Sequence, residues 1–249
     1  SKRAAFTPWI TDEISFETNV SMTVIDLFLD KACTIPTTGN GVGVLDNLYI
    51  RALAPTGDPA RINVLLAKVL RSGSGIGEIT CDLVETTRES GVYVGVVRIN
   101  SIGAPLVARP ILDSDLGYLG ASSGDTLTVT PAGGISPSAG VAVTNRARWR
   151  KANNPNRVLW NGTQLVLPAS YYLYVEPGVT VEASRHYGFA GSAYIPIYVY
   201  GTLEAIGSPE APIIFEPIID DWLVTDMFVV AFDQPSSSGG RAWCSAPVN

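Results

Sequence analysis

Residues 164–184 read QLVLPASYYLYVEPGVTVEAS, and residues 197–217 read IYVYGTLEAIGSPEAPIIFEP. Apolar side chains alternate in short runs: Leu165 and Leu167, Leu173 and Val175, Val179 and Val181, then Ile197 and Val199, Leu203, and Ile213 and Phe215. Turn formers separate the runs at Pro168-Ala169, Pro177-Gly178, Gly201 and Gly207-Ser208-Pro209. Period two broken by Gly and Pro predicts strands and excludes helix. Runs this short and this close together suit a parallel solenoid, in which each coil takes roughly 20–29 residues.

The segments Leu173-Tyr174-Val175-Glu176-Pro177-Gly178-Val179-Thr180-Val181 and Ile197-Tyr198-Val199-Tyr200-Gly201-Thr202-Leu203-Glu204-Ala205 resemble the opening coils of right-handed parallel β-helix proteins. That resemblance implies a fold and names no reaction.

Working outward, residues 13–131 read as a β-sandwich of the Ig-like kind. Candidate strands fall at 14–18, 21–29, 46–54, 60–69, 77–85, 91–99 and 126–130, with turn clusters such as Thr38-Gly39-Asn40-Gly41 and Ser72-Gly73-Ser74-Gly75 between them. About seven short strands at this spacing form the sandwich pattern. Within it, GEITCDLVETTRESGVYVGVVRIN (77–100) and SGDTLTV (123–129) resemble strand pairs of modular secreted and surface-layer β-sandwich domains. The resemblance implies a spacer, adhesive or lattice role. Residues 132–156 are rich in Gly, Pro, Ser and Asn and read as a linker, within which Val141–Thr144 can pair as one short strand. The expected order is an arm (1–12), the sandwich (13–131), the linker, a β-helix-like or second β domain (157–232) and a tail (233–249); the fold class is all-β.

Composition restricts function. Only 16% of the 249 residues are charged and 46% are hydrophobic, with a net charge of −6, against ~25% charged in an average chain. A surface so poor in charge is suited to being covered by neighbours. The one basic cluster, Arg146, Arg148, Arg150 and Lys151, is too small a stripe for nucleic acid. No apolar run approaches the ~20 residues of a membrane-spanning helix. The chain holds one histidine, His186, so triad chemistry and Cys/His zinc sites have no ligand spacing to stand on. No catalytic residue is assigned, and the chain is read as not an enzyme.

Other residues are site candidates. Phe6, Trp9 and Ile10 make the arm apolar, so it docks either on its own sandwich or into the next subunit as an added strand. Cys33 and Cys81 follow and occupy strands that would face each other across a sandwich, which makes them disulfide candidates, with free thiols as the alternative; Cys244 is left over. Asn19 and Asn161 head N-glycosylation triplets. Asp113 and Asp115 form a weak calcium candidate, and no other cofactor or metal is expected. Glu176, Glu182, Glu204 and Glu210 sit at turn-like positions among Tyr171, Tyr172, Tyr174, Tyr194, Tyr198 and Tyr200. The expectation is a secreted, glycosylated structural subunit, archaeal in type, outside the cell or on its surface, that polymerises with itself into a filament, tube or lattice by strand donation. The alternative is a polysaccharide-binding or polysaccharide-cleaving β-helix module, with glycans as partners.

Overall fold

The structure is a computed structural model describing residues 14–16, 21–55, 57–73, 77–101, 117–158, 165–183, 186–188, 191–193, 197–217, 230–232 and 242–245. It is all-β, with one short 3-10 turn at Lys151–Asn153.

The first ten strands are β1 (Ile14–Phe16), β2 (Val24–Phe28), β3 (Val42–Gly43), β4 (Asn47–Leu53), β5 (Ile62–Ser72), β6 (Gly77–Glu85), β7 (Val92–Ser101), β8 (Gly117–Ala121), β9 (Thr126–Pro131) and β10 (Ala139–Thr144). They form one hydrogen-bonded sheet in the order β2-β4-β7-β6-β5-β9-β10-β3, with β1 joined to β5 and β8 to β7. The sheet curls, so that β10 lies against β2 although the two are far apart in strand order. This differs from the expected Ig-like pair of separate sheets. Three of its pairings are also parallel: β1 with β5, β7 with β8, and β10 with β3. The inner side is set by alternation. Along β4, Leu48, Ile50 and Ala52 are fully buried, while Asn47, Tyr49, Arg51 and Leu53 take the other face.

The remaining strands are β11 (Arg146–Trp149), β12 (Asn156–Val158), β13 (Leu165–Leu167), β14 (Tyr172–Val175), β15 (Thr180–Ala183), β16 (His186–Gly188), β17 (Gly191–Ala193), β18 (Ile197–Val199), β19 (Thr202–Ile206), β20 (Ile214–Pro217), β21 (Val230–Phe232) and β22 (Ala242–Ser245). They build three parallel ladders: β11-β14-β19-β22, β12-β15-β20 and β13-β18-β21. The chain visits these ladders in the same order on successive circuits. A hairpin, β16 with β17, interrupts the second circuit. In each strand whose side chains are described, one set turns inward: Ala147 and Trp149, Leu165 and Leu167, Leu173 and Val175, Leu203 and Ala205 are all buried. Burying each large one contributes roughly 1.5–3 kcal/mol. Gly201 turns the chain between β18 and β19 where a Cβ would lie 2.3 Å from the Tyr171 carbonyl oxygen.

Two stretches carry more strand than the sequence reading gave them. Residues 132–156 contain not only the short strand expected at Val141–Thr144 but β10 (Ala139–Thr144) and β11 (Arg146–Trp149). Val141 and Val143 are buried in β10, and Ala147 and Trp149 in β11, so period-two burial outweighs the Gly/Pro/Ser composition. The tail 233–249 contains β22, which extends the first ladder. The apolar residues of sheet and circuits also form one continuous cluster, from Met22 and Ile25 through Trp149 to Leu203 and Ala205.

Candidate functional site

Sheet and first circuit meet at the turn between β3 and β4. Gly43 approaches β11 so closely that a Cβ there would lie 2.1 Å from the Arg146 carbonyl oxygen. Leu45 follows at φ +85°, a left-handed backbone that is unfavourable for leucine. It is fully buried, its N–H donates to Ile99 O at 2.7 Å, and its carbonyl accepts the Trp149 indole N–H at 2.9 Å. Asp46 accepts the Gly43 N–H at 2.9 Å on Oδ2 and the Arg148 N–H at 2.7 Å on Oδ1. One carboxylate thereby ties the sheet's own turn to the first strand of the circuits. A second tie is Asn153, which donates to Leu29 O at 3.0 Å and accepts the Lys31 N–H at 2.8 Å.

The junction is polar and buried. Arg98 on β7 is 0% exposed. Its Nε donates to Asn47 Oδ1 at 2.8 Å, and its guanidinium carbon stands 5.6 Å from the centre of the Trp149 ring. Burial pushes the Asp46 carboxyl up to about 6, against the hydrogen bonds from Arg148 and Gly43 and the charges of Arg150 and Arg98. Burial likewise raises the Tyr49 phenol and lowers Arg98. For each of these groups, loss of water outweighs the neighbouring partners. Beside the junction, burial pushes the Asp30 carboxyl up, but hydrogen bonds from Ile35 and Thr34 hold it below its ordinary value.

The outer face of the first ladder is self-satisfied. Arg148, Tyr174 and Glu204 share one register row, and Arg146, Tyr172 and Thr202 another. Arg148 lies 5.3 Å over the Tyr174 ring and bonds Glu176 at 2.6 Å, while Tyr172 donates to Glu204. Glu176 also accepts the Lys151 N–H at 2.9 Å. These glutamates thus act as acceptors for neighbouring circuits. Tyr198 and Tyr200 stack at 6.4 Å with their planes 9° apart. The exposed large apolar side chains among the described residues are Val24, Leu53 and Val84 on the sheet, Ile135 before β10, and Tyr200, Ile206 and Ile214 on the third circuit or the turn leading into it.

The disulfide candidate is corrected. Cys33 and Cys81 are both free. β2 and β6 belong to one sheet, with β4 and β7 between them. Cys33 lies in the turn after β2 rather than in a strand facing β6, so the cross-sandwich placement on which the pairing rested is absent. The Cys81 thiol is buried, lies 3.7 Å from Val96 O, and is pushed up to about 12 by burial. Burial raises Cys33 as well.

The assembly candidates Phe6, Trp9 and Ile10, the glycosylation candidates Asn19 and Asn161, and the calcium candidates Asp113 and Asp115 lie outside the described residues. Among the described residues, no three His, Cys, Asp or Glu side chains gather as a metal site, and no helix is long and apolar enough to cross a membrane.

The 77–100 motif is structural where it is described. Glu85, 2% exposed, accepts the Asn63 N–H at 3.2 Å, the Asn63 amide at 2.7 Å and the Gly91 N–H at 3.1 Å. Sequence reasoning missed Asp46, Arg98 and Trp149. The available signal was a charge at an interior position of a strand pattern, Arg98 following Val96-Val97. No family model, curated protein or solved structure matches the chain.

Proposed function

We propose that the chain is a structural subunit of an extracellular polymer, assembling by β-strand exchange and edge contacts, and that its mechanism is association rather than turnover. The observation that carries this reading is the placement of exposed apolar side chains. Ile206 is 49% and Ile214 43% exposed, and the two flank one turn of the third circuit. Tyr200 precedes the same circuit at 39%. With only 16% charged residues, such a corner is better suited to a protein neighbour than to water. Parallel ladders can also add a strand from a neighbour at an open edge.

Electron microscopy and light scattering of purified protein test this. Regular polymers are expected, and Ile206→Lys with Ile214→Lys should shift material toward monomer. A dispersed monomer at every concentration, unaffected by the double substitution, overturns the reading. The Tyr198–Tyr200 stack and the Tyr172 and Tyr174 face favour a second reading, a glycan-binding surface. Retention on immobilised polysaccharide, lost with Tyr200→Ala, would support that reading instead.

A further inference from the structure

We propose that the junction between sheet and circuits binds a small monovalent inorganic anion, chloride in ordinary salt, on the terminal guanidinium nitrogens of Arg98. Arg98 is 0% exposed, and only its Nε has an acceptor, Asn47 Oδ1. Nη1 and Nη2 are both buried with no hydrogen-bond acceptor among the described residues. Together they present up to four N–H bonds in a fixed plane. Buried donors of this kind are rare in folded proteins, and each calls for a partner.

The groups acting on the Arg98 charge are Tyr118, Tyr49 and Asp46, and none of them accepts from Nη1 or Nη2. Asp46 has Oδ1 on the Arg148 N–H and Oδ2 on the Gly43 N–H. Tyr49 Oη accepts from the Asn47 amide at 3.4 Å. The Trp149 ring offers only its face, 5.6 Å away.

A water molecule would meet the N–H groups without meeting the charge; an anion meets both. The site is sealed from solvent, so the ion must shed its hydration, and that cost selects a halide over sulfate or phosphate. An ion bound only by the folded chain raises stability with the logarithm of its concentration above its dissociation constant.

Two measurements test this. Crystals grown with bromide in place of chloride should show an anomalous peak within hydrogen-bonding distance of Arg98 Nη1 or Nη2. The melting midpoint of the wild-type chain should rise when gluconate is replaced by chloride at constant ionic strength, and the Arg98→Met chain should lose that rise. If Arg98→Met does not fold, the wild-type midpoint and the bromide map decide together. Water at the nitrogens in the bromide crystal overturns the proposal. So does a chloride response that is equal in both chains. A bromide peak with a wild-type midpoint indifferent to chloride means an adventitious ion only, and overturns it as well.

Discussion

Replacing Asp46 by Asn tests whether the junction's carboxylate is held in the fold at a cost. Burial raises its folded pKa from 3.8 to about 6. The folded chain therefore binds more protons than the unfolded chain between those values. The stability this group contributes is full below 3.8 and is lost as pH rises through about 6. Two pH units at ~1.36 kcal/mol each give about 3 kcal/mol in total, of which about 2 kcal/mol falls between roughly pH 4.5 and 7.5. Asparagine cannot ionise, so its stability carries no such slope. It also presents an N–H group to one of the two backbone donors, Gly43 or Arg148, which lowers stability by about 1–3 kcal/mol at every pH. Asp30 works in the opposite direction, since its lowered pKa costs stability as pH falls, but it is common to both chains and cancels. Urea unfolding followed by tryptophan fluorescence at several pH values gives the difference between wild type and Asp46→Asn. That difference should shrink by about 2 kcal/mol from acid to neutral pH. Parallel curves would refute the reasoning, because the carboxylate would then be solvated or fully compensated.

Glu85→Ala removes three accepted hydrogen bonds from a buried position and should destabilise the chain by about 3 kcal/mol, with Glu85→Gln milder, as read by denaturant midpoints. Gly43→Ala sets a Cβ against the Arg146 carbonyl; a loss of about 3 kcal/mol is expected, and hydrogen exchange should quicken first in β11. Cys81, buried and pushed up to about 12, should resist iodoacetamide in the native chain and react in denaturant; quick native labelling would contradict its placement.

Much of the sheet is present in the sequence as alternation. The expected strands at 77–85 and 91–99 match β6 and β7 within two residues, because β6 and the first half of β7 bury every second side chain; from Val97 to Ser101 β7 is buried on both faces. The Gly/Pro turns between the later runs likewise marked β13, β14 and β19. At 139–149 only Val141–Thr144 was legible as a strand, because Gly133, Gly134 and Pro137 dominate the local composition, while only four residues there, Val141, Val143, Ala147 and Trp149, are buried apolar ones. The junction was not readable at all. Its partners are far apart in sequence: Trp149 meets Leu45 across 104 positions and Asn153 meets Leu29 across 124. No local period connects them. That the sheet is one curled, hydrogen-bonded whole was not legible for a related reason, since strand count and spacing do not say whether two halves of a sheet separate or remain joined.

The turn at Gly43–Asp46 has a consequence for how the chain is made. Every contact that seats the first circuit, from Leu29, Leu45 and Asp46, belongs to sequence that leaves the ribosome before Arg146 does. A folded sheet is therefore a finished floor when β11 emerges, and β11 in turn offers its edge to β14, and β14 to β19. Pairing in this order gives each circuit an edge laid down by the one before it, so the first circuit's seat on the sheet sets the register for those that follow.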